Sequence, residues 1–278
     1  MPKPTQLFIR NVFNGIKKKA ISVSASSSKK SGLSWLNEKY LKHAPPNKVR
    51  SFNYKGYKIY YAQPAEFLHS FKEIFIGDIY RLNLPPAPYI LDCGANIGLS
   101  VIYLKTQFPD ARIVAFEPDE QNFKLLSQNI KSFNFDSIEL KKEAVWNEDT
   151  YLTFHNAGNM GSRIETQSEP NLPKVKATRL KDYINTKVDF LKLDIEGAEY
   201  EVLKDIKDHL HHVRNMFLEY HGNFENNNEF IEVLTIIKEA GFCFYLKEAT
   251  NIYDRPFLEY NSVKRPYSIQ LNIFCMRL

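Results

Sequence analysis

Tyr89-Ile90-Leu91-Asp92-Cys93-Gly94-Ala95-Asn96-Ile97-Gly98-Leu99-Ser100 is the stretch on which the fold turns. Residues 89–91 are a short apolar run with the composition of a strand, and a glycine turn then leads into a helical pattern over 100–108. Gly94 lets the backbone reverse sharply, and Gly98 lets the helix lie close to the strand it has just left. Strand, glycine turn and helix in that order open an α/β sheet whose ligand crevice lies at the carboxyl end of the strand.

Toward the C-terminus the alternation continues. Residues 112–116 read as a second strand, and Asp119 caps a helix reaching Lys131 with Phe123, Leu126 and Ile130 on one face. Residues 138–140 form a third strand, and 151–175 read as an inserted hairpin. A strand over 188–193, a helix over 199–206, a strand over 216–220 and a helix over 230–240 follow, the last stopped by Gly241. Residues 242–246 and 270–276 complete the strands. Strands alternating with helices predict a largely parallel sheet covered on both faces, and no internal repeat is visible. Toward the N-terminus, Leu84-Pro85-Pro86-Ala87-Pro88 is a stiff loop that no helix crosses. Before it lie a helix over 64–76 with Pro at its start, a hairpin over 52–60 and a helix over 35–41. Residues 22–32 are a Ser- and Lys-rich linker, and Leu7, Phe8, Val12, Phe13 and Ile16 recur at helical spacing. The chain therefore divides into a basic extension, 1–62, and a main domain, 63–278.

Charge follows the same division. Residues 1–50 hold eleven Lys or Arg and one acid, Glu38: a net +10 within a chain total of +5, which leaves −5 for the other 228 residues. A basic leader suits an anionic neighbour, whether a membrane surface, an acidic partner or a nucleic acid, and at least equally a solvated terminus. The acidic body argues against nucleic acid as a partner. Three distant cysteines, Cys93, Cys243 and Cys275, make neither a disulfide framework nor a zinc site and fit a reducing cytoplasm. No apolar run approaches the roughly 18–20 residues that span a bilayer, and Arg10 and Lys17 to Lys19 break up any signal-peptide core.

Asn96 narrows the choice of ligand. It stands where a dinucleotide fingerprint has its middle glycine, which lets the backbone approach a pyrophosphate. Asn there disfavours NAD or FAD and suits a phosphate-free nucleoside cofactor such as S-adenosylmethionine. Asp92, Gly94, Ala95, Asn96, Gly98 and Ser100 would meet its amino acid end. Glu117, 25 residues after Asp92 at the end of the second strand, is an acceptor-only carboxylate suited to a ribose diol. Pro118 and Asp119 follow where an adenine would lie, and Glu143, Ala144 and Val145 form the base-binding edge after the third strand. A single such glycine pair or strand-ending acid means little; together, in order, they predict a nucleoside site.

Residues 89–100 together with Ile113-Val114-Ala115-Phe116-Glu117-Pro118-Asp119 and Phe190-Leu191-Lys192-Leu193-Asp194-Ile195-Glu196-Gly197-Ala198-Glu199 resemble the FkbM family of methyltransferases over residues 71–247. The resemblance implies a Rossmann-like class I methyltransferase fold: a mostly parallel seven-stranded sheet with helices on both faces and an antiparallel last strand. It also implies O-methylation, commonly of a sugar or polyketide hydroxyl. The first 60 residues lie outside it.

A second acidic cluster follows the fourth strand. Acids in a first helical turn stabilise it by roughly 0.3–1 kcal/mol, which accounts for Glu199. Asp194 closes an apolar strand and must face the crevice. Methyl transfer to oxygen benefits from a base, and Asp194, Glu196, Glu219 and His221 stand on the two strand ends facing that region. Glu219 and His221, two apart on a strand, share a face. His221 has the intrinsic pKa of a base near neutrality and is the expected base, with Asp194 orienting substrate or cofactor. Asp194, Glu196 and Glu219 offer oxygens to a divalent ion, but without a dedicated loop no metal is expected. His209, His211 and His212 read as a helix end. Gly158-Asn159-Met160-Gly161-Ser162-Arg163 reads as a lid or an ordinary loop, and Tyr54, Tyr57, Tyr60, Tyr61, Phe67, Phe71, Phe75 and Tyr80 as a sugar cleft or, more simply, core.

The leading expectation is a methyltransferase acting on a small-molecule or glycan hydroxyl. An RNA or protein methyltransferase recruited by the basic leader, a non-catalytic nucleotide-binding module and a nicotinamide-dependent dehydrogenase are the competitors. Asn96 weighs against the last, and no Asn/Asp-Pro-Pro-Tyr/Phe element marks adenine methylation. The oligomeric state is left open.

Overall fold

The computed structural model describes residues 33–155, 163–165, 174–260 and 266–277, which fall into two compact units divided between Arg81 and Leu82. The expected helix over 7–16 and linker over 22–32 lie outside the described residues, as do residues 158–162 of the expected lid.

In the first unit, Ser34 caps helix α1 (Trp35–His43) by accepting the Asn37 N–H at 3.2 Å. Strands β1 (Arg50–Tyr54) and β2 (Tyr57–Tyr61) pair antiparallel around Lys55 and Gly56, both at positive φ, the backbone that a tight hairpin with the right-handed strand twist requires. Helix α2 (Pro64–Phe71) continues as a π turn, Lys72–Ile76. The aromatics here build a core: Tyr54, Phe67, Phe71 and Tyr80 are buried, and Tyr61 stacks on Phe67 with centroids 4.3 Å apart. Each such pair adds roughly 0.5–1.5 kcal/mol to the burial itself. Tyr57 alone of that set is an exposed large side chain.

The second unit carries the alternating pattern: β3 (Tyr89–Cys93), α3 (Leu99–Gln107), β4 (Arg112–Phe116), α4 (Glu120–Ser132) and β5 (Ile138–Lys141). After a small subsheet come β10 (Phe190–Leu193), α5 (Glu199–Ile206), β11 (Asn215–Gly222), α6 (Asn227–Glu239), β12 (Cys243–Glu248), α7 (Pro256–Glu259) and β13 (Ile269–Met276). One seven-stranded sheet runs in the order β12-β13-β11-β10-β3-β4-β5. The pairs joining β11, β10, β3, β4 and β5 are all parallel, and β13 is antiparallel to both its neighbours, as the class I fold requires. On α4 Leu126 and Ile130 of the expected face are buried, together with Leu125 and Asn129, whereas Phe123 is half-buried.

The inserted hairpin is larger than its sequence suggests. Strands β6 (Ala144–Trp146), β7 (Thr150–His155), β8 (Arg163–Glu165) and β9 (Lys174–Arg179) form a four-stranded sheet, order β6-β9-β7-β8. Ala144 and Val145 therefore lie within a strand, 2% exposed and in parallel register with Ala177 and Thr178. Among the described residues no helix is long and apolar enough to cross a membrane.

Candidate active site

At the centre of the large sheet β3 and β10 run parallel, with Asp92 beside Lys192 and Cys93 beside Leu193. From β3 the chain crosses to β4 on one side; from β10 it crosses to β11 on the other. A crevice opens at such a switch point, outside the carboxyl ends of the strands. The two turns that line it touch. A Cβ added to Gly94, whose φ is +87°, would sit 1.8 Å from the backbone oxygen of Asp194. No side chain fits there. Gly94 and Ala95 donate their N–H groups to the Phe116 carbonyl at 3.1 and 2.8 Å, tying the turn to the end of β4.

Asn96 lies in the left-handed region at φ 49°, which Asn tolerates better than most non-glycine residues. Its side-chain oxygen accepts the Ile97 N–H at 2.7 Å. Gly98 is also left-handed, and a Cβ on it would meet the Leu126 side chain of α4 at 2.6 Å. From the same helix, buried Asn129 donates to the Ile97 carbonyl at 2.8 Å, a prop for the turn that the apolar pattern of α4 did not reveal.

Glu117 sits at the end of β4, 5% exposed. Its two oxygens accept the Asn96 N–H at 2.8 Å and the Asp119 N–H at 2.9 Å, bridging the glycine turn and the start of α4. Burial pushes its pKa up to about 7, against those two hydrogen bonds. Each oxygen has a second lone pair, so the carboxylate has capacity for two further donors. Asp119 caps α4 by accepting the Gln121 and Asn122 N–H groups, and Pro118 between them is half-buried. Glu143 pairs with Lys176 of β9 at 2.7 Å, next to the buried Ala144 and Val145.

Asp92 is fully buried; one oxygen accepts from the Ser100 hydroxyl. The other has the Lys192 ammonium at 3.4 Å without an aligned hydrogen bond. Lys192, 3% exposed, also donates to the Gly94 carbonyl at 2.9 Å and stands 3.1 Å from Asp194. Sequence reasoning missed it, although a cation inside an apolar strand run has to be paired. One ammonium thus joins both motif acids and the glycine turn.

The second cluster gathers around His221, whose side chain is 2% exposed. Its Nδ1 lies 3.0 Å from Glu199, and its Nε2 lies 3.6 Å from both Glu196 and Glu219. Glu199, fully buried, also accepts the Ile195 and Gly197 N–H groups. It is both the first-turn acid of α5 and the residue that orients His221, a pairing across 22 residues that no local pattern announces. Burial alone would lower the His221 pKa, but Glu199, Glu219 and Glu196 together hold it well above the usual imidazole value. The expected base, His221, is thus set within a ring of carboxylates. Burial, more than the neighbouring acids, raises Glu196 to about 8. Asp194, Glu219 and His221 each bring a ligand atom within 4.8 Å of the others. Tyr267 closes one side: its ring lies 4.9 Å from His221, and its hydroxyl donates to the Glu196 carbonyl at 2.7 Å. His209, His211 and His212 lie apart from this cluster, in the 3-10 turn Lys207–His212 after α5.

Residues 92–244 match the family model described as the methyltransferase FkbM domain. Among curated proteins the chain is 28% identical over 216 residues to "Methyltransferase 1" of Beauveria bassiana, covering 66% of this chain and 85% of that one. It is 26% identical to "Hexuronic acid methyltransferase AglP" of Haloferax volcanii, covering 59% and 68%. To "2-O-methyltransferase NoeI" of Sinorhizobium fredii it is 25% identical, covering 51% and 67%.

Proposed function

Because the chain belongs to the FkbM methyltransferase family, we propose that it uses S-adenosylmethionine to methylate a hydroxyl group of a saccharide or another small acceptor. One observation carries the cofactor reading: a buried carboxylate, Glu117, with unused acceptor capacity beside a glycine turn that tolerates no side chain at Gly94. A ribose diol supplies the two donors that capacity asks for, and Asn96 in place of a middle glycine leaves no provision for a pyrophosphate. Asp92, Gly94, Ala95, Asn96, Gly98 and Ser100 would hold the amino acid end. Pro118, Asp119, Glu143, Ala144 and Val145 would border the base. The names of the Haloferax and Sinorhizobium relatives, a hexuronic acid and a 2-O-methyltransferase, support a sugar oxygen as acceptor.

When bound, S-adenosylmethionine supplies a methyl carbon on sulfonium sulfur, which keeps the C–S bonding pair as the carbon moves. The chain's own task is to hold the acceptor oxygen in line and to take its proton. Asp194, Glu196, Glu219 and His221 form the acid–base set for that proton. Burial raises Glu196 to about 8, so within this set it is a carboxyl able to hold and exchange a proton near neutral pH. Glu199 fixes the ring of His221, and Glu199, Glu219 and Glu196 around it favour its holding a proton.

Calorimetry with S-adenosylmethionine and with NAD tests the cofactor, and transfer of labelled methyl from S-adenosylmethionine into a glycan extract tests the acceptor. Micromolar binding of the sulfonium without NAD binding, and label in a base-stable ether linkage on sugar, are expected. NAD binding without sulfonium binding overturns the reading.

A further inference from the structure

We propose that Asp194, Glu219 and His221 form a binding site for one divalent first-row transition ion at the mouth of the proposed acceptor crevice, an inference that rests on the methyl-transfer reading above. No ligand loop announces such a site in the sequence; the fold builds it by bringing the end of β10 beside β11. The first argument is geometric. The three ligand atoms lie within 4.8 Å of one another, and Nε2 of His221 is 3.6 Å from Glu219. Donors bound at about 2.0–2.2 Å from one ion stand about 3–4.4 Å apart. The His221–Glu219 spacing, held in this structure as an ion pair, falls inside that range, so a shared ion could replace the pair without moving either side chain far.

The second argument is orientation. The ring of His221 is buried, and Nδ1 faces Glu199 at 3.0 Å, which turns Nε2 toward Glu219 and Glu196. Glu199 is in turn fixed by two backbone N–H groups of its own turn. A carboxylate behind a histidine is the usual outer support of a metal-ligating imidazole. Asp194 and Glu219 keep 25% and 21% of their side chains exposed, so an ion has a way in and open coordination positions. One imidazole nitrogen and two carboxylate oxygens favour Mn²⁺, Fe²⁺ or Zn²⁺ over calcium, which takes oxygen ligands alone. An ion there would bind the acceptor hydroxyl oxygen and make its proton more acidic.

The test is a titration of Mn²⁺ into the full chain, read by loss of the free-ion paramagnetic resonance signal, with S-adenosylmethionine calorimetry on the same samples. One bound Mn²⁺ per chain is expected. Glu219→Gln and Asp194→Asn should each weaken it at least tenfold, and Glu232→Gln, an exposed acid of α6 hydrogen-bonded to Tyr200 and outside the ligand set, should leave it unchanged. Retained S-adenosylmethionine binding by either cluster variant shows that the variant is folded. Absence of stoichiometric Mn²⁺ up to millimolar concentration, or binding indifferent to both substitutions, overturns the site. Should the cofactor bind while Mn²⁺ does not, the metal inference fails and the methyltransferase reading stands. Mn²⁺ binding without the cofactor is the reverse outcome and overturns the cofactor reading instead.

Discussion

Glu117 sets burial against ligand binding at a single residue. An acid raised from 4.5 to about 7 keeps a proton in the folded chain that the unfolded chain has already released. Its contribution to stability is therefore complete below pH 4.5 and is lost as the pH rises through about 7. At about 1.4 kcal/mol per unit the loss amounts to about 3 kcal/mol. Glu117→Gln has no such proton. The stability of the parent chain relative to this variant, from urea midpoints in the absence of cofactor, should fall by about that amount between pH 4.5 and 7. A difference that stays constant with pH contradicts the account. The same substitution leaves one oxygen to serve acceptor duties now shared by two. Because hydrogen bonds to a charged group are worth about 1.5–3 kcal/mol, S-adenosylmethionine affinity should drop about ten- to hundredfold, read by calorimetry at pH 8, where the parent carboxylate is mostly ionised.

Among the elements, the turn after β3 and the stop after α6 use glycine for different reasons, and substitution separates them. Both are left-handed, a backbone that costs an alanine about 1–2 kcal/mol. At Gly241 the new Cβ meets only the Arg277 guanidinium at 3.1 Å, so Gly241→Ala should cost little more than that. At Gly94 it would meet the Asp194 backbone, and overpacking adds about 1–3 kcal/mol. Gly94→Ala should therefore be clearly the more destabilising in thermal denaturation, and it should abolish cofactor binding where Gly241→Ala preserves it. Equal losses of stability would show that the two turns are not pressed together. This contrast also shows what the sequence made legible. The strands and glycine turns of the large sheet were readable because their apolar runs and turn residues repeat locally. Strands β6 and β8, three residues each, were not, because a short strand takes its identity from its partner, and β6 finds β9 only across an insertion. The site divides in the same way. Asp92, Glu117 and Asp194 stand at strand ends visible in one dimension. The meeting of Lys192 with Asp92, and of His221 with Glu199, exists only once the parallel strands are laid side by side.

Across the whole molecule, every residue assigned to the proposed cofactor site belongs to the unit that begins at Leu82, while the hairpin β1–β2 belongs to the other. Ligand free energy stabilises what unfolds with the site, by about 2.7 kcal/mol at a hundred times the dissociation constant. Central strands exchange their amide hydrogens through the largest openings of their own cooperative unit, whereas fraying ends exchange locally. Amides of β3, β4, β10 and β11 should therefore exchange about a hundredfold more slowly when S-adenosylmethionine is saturating, followed by mass spectrometry of peptides from each element. Amides of β1 and β2 should keep their rates within a factor of about two, since about 0.4 kcal/mol or less would reach them. Equal slowing in both sets would mean that the chain opens as one cooperative body despite its division at Arg81. Slowing confined to the hairpin would put the ligand on the wrong unit. The second result would remove Glu117 and the glycine turn from any role in binding.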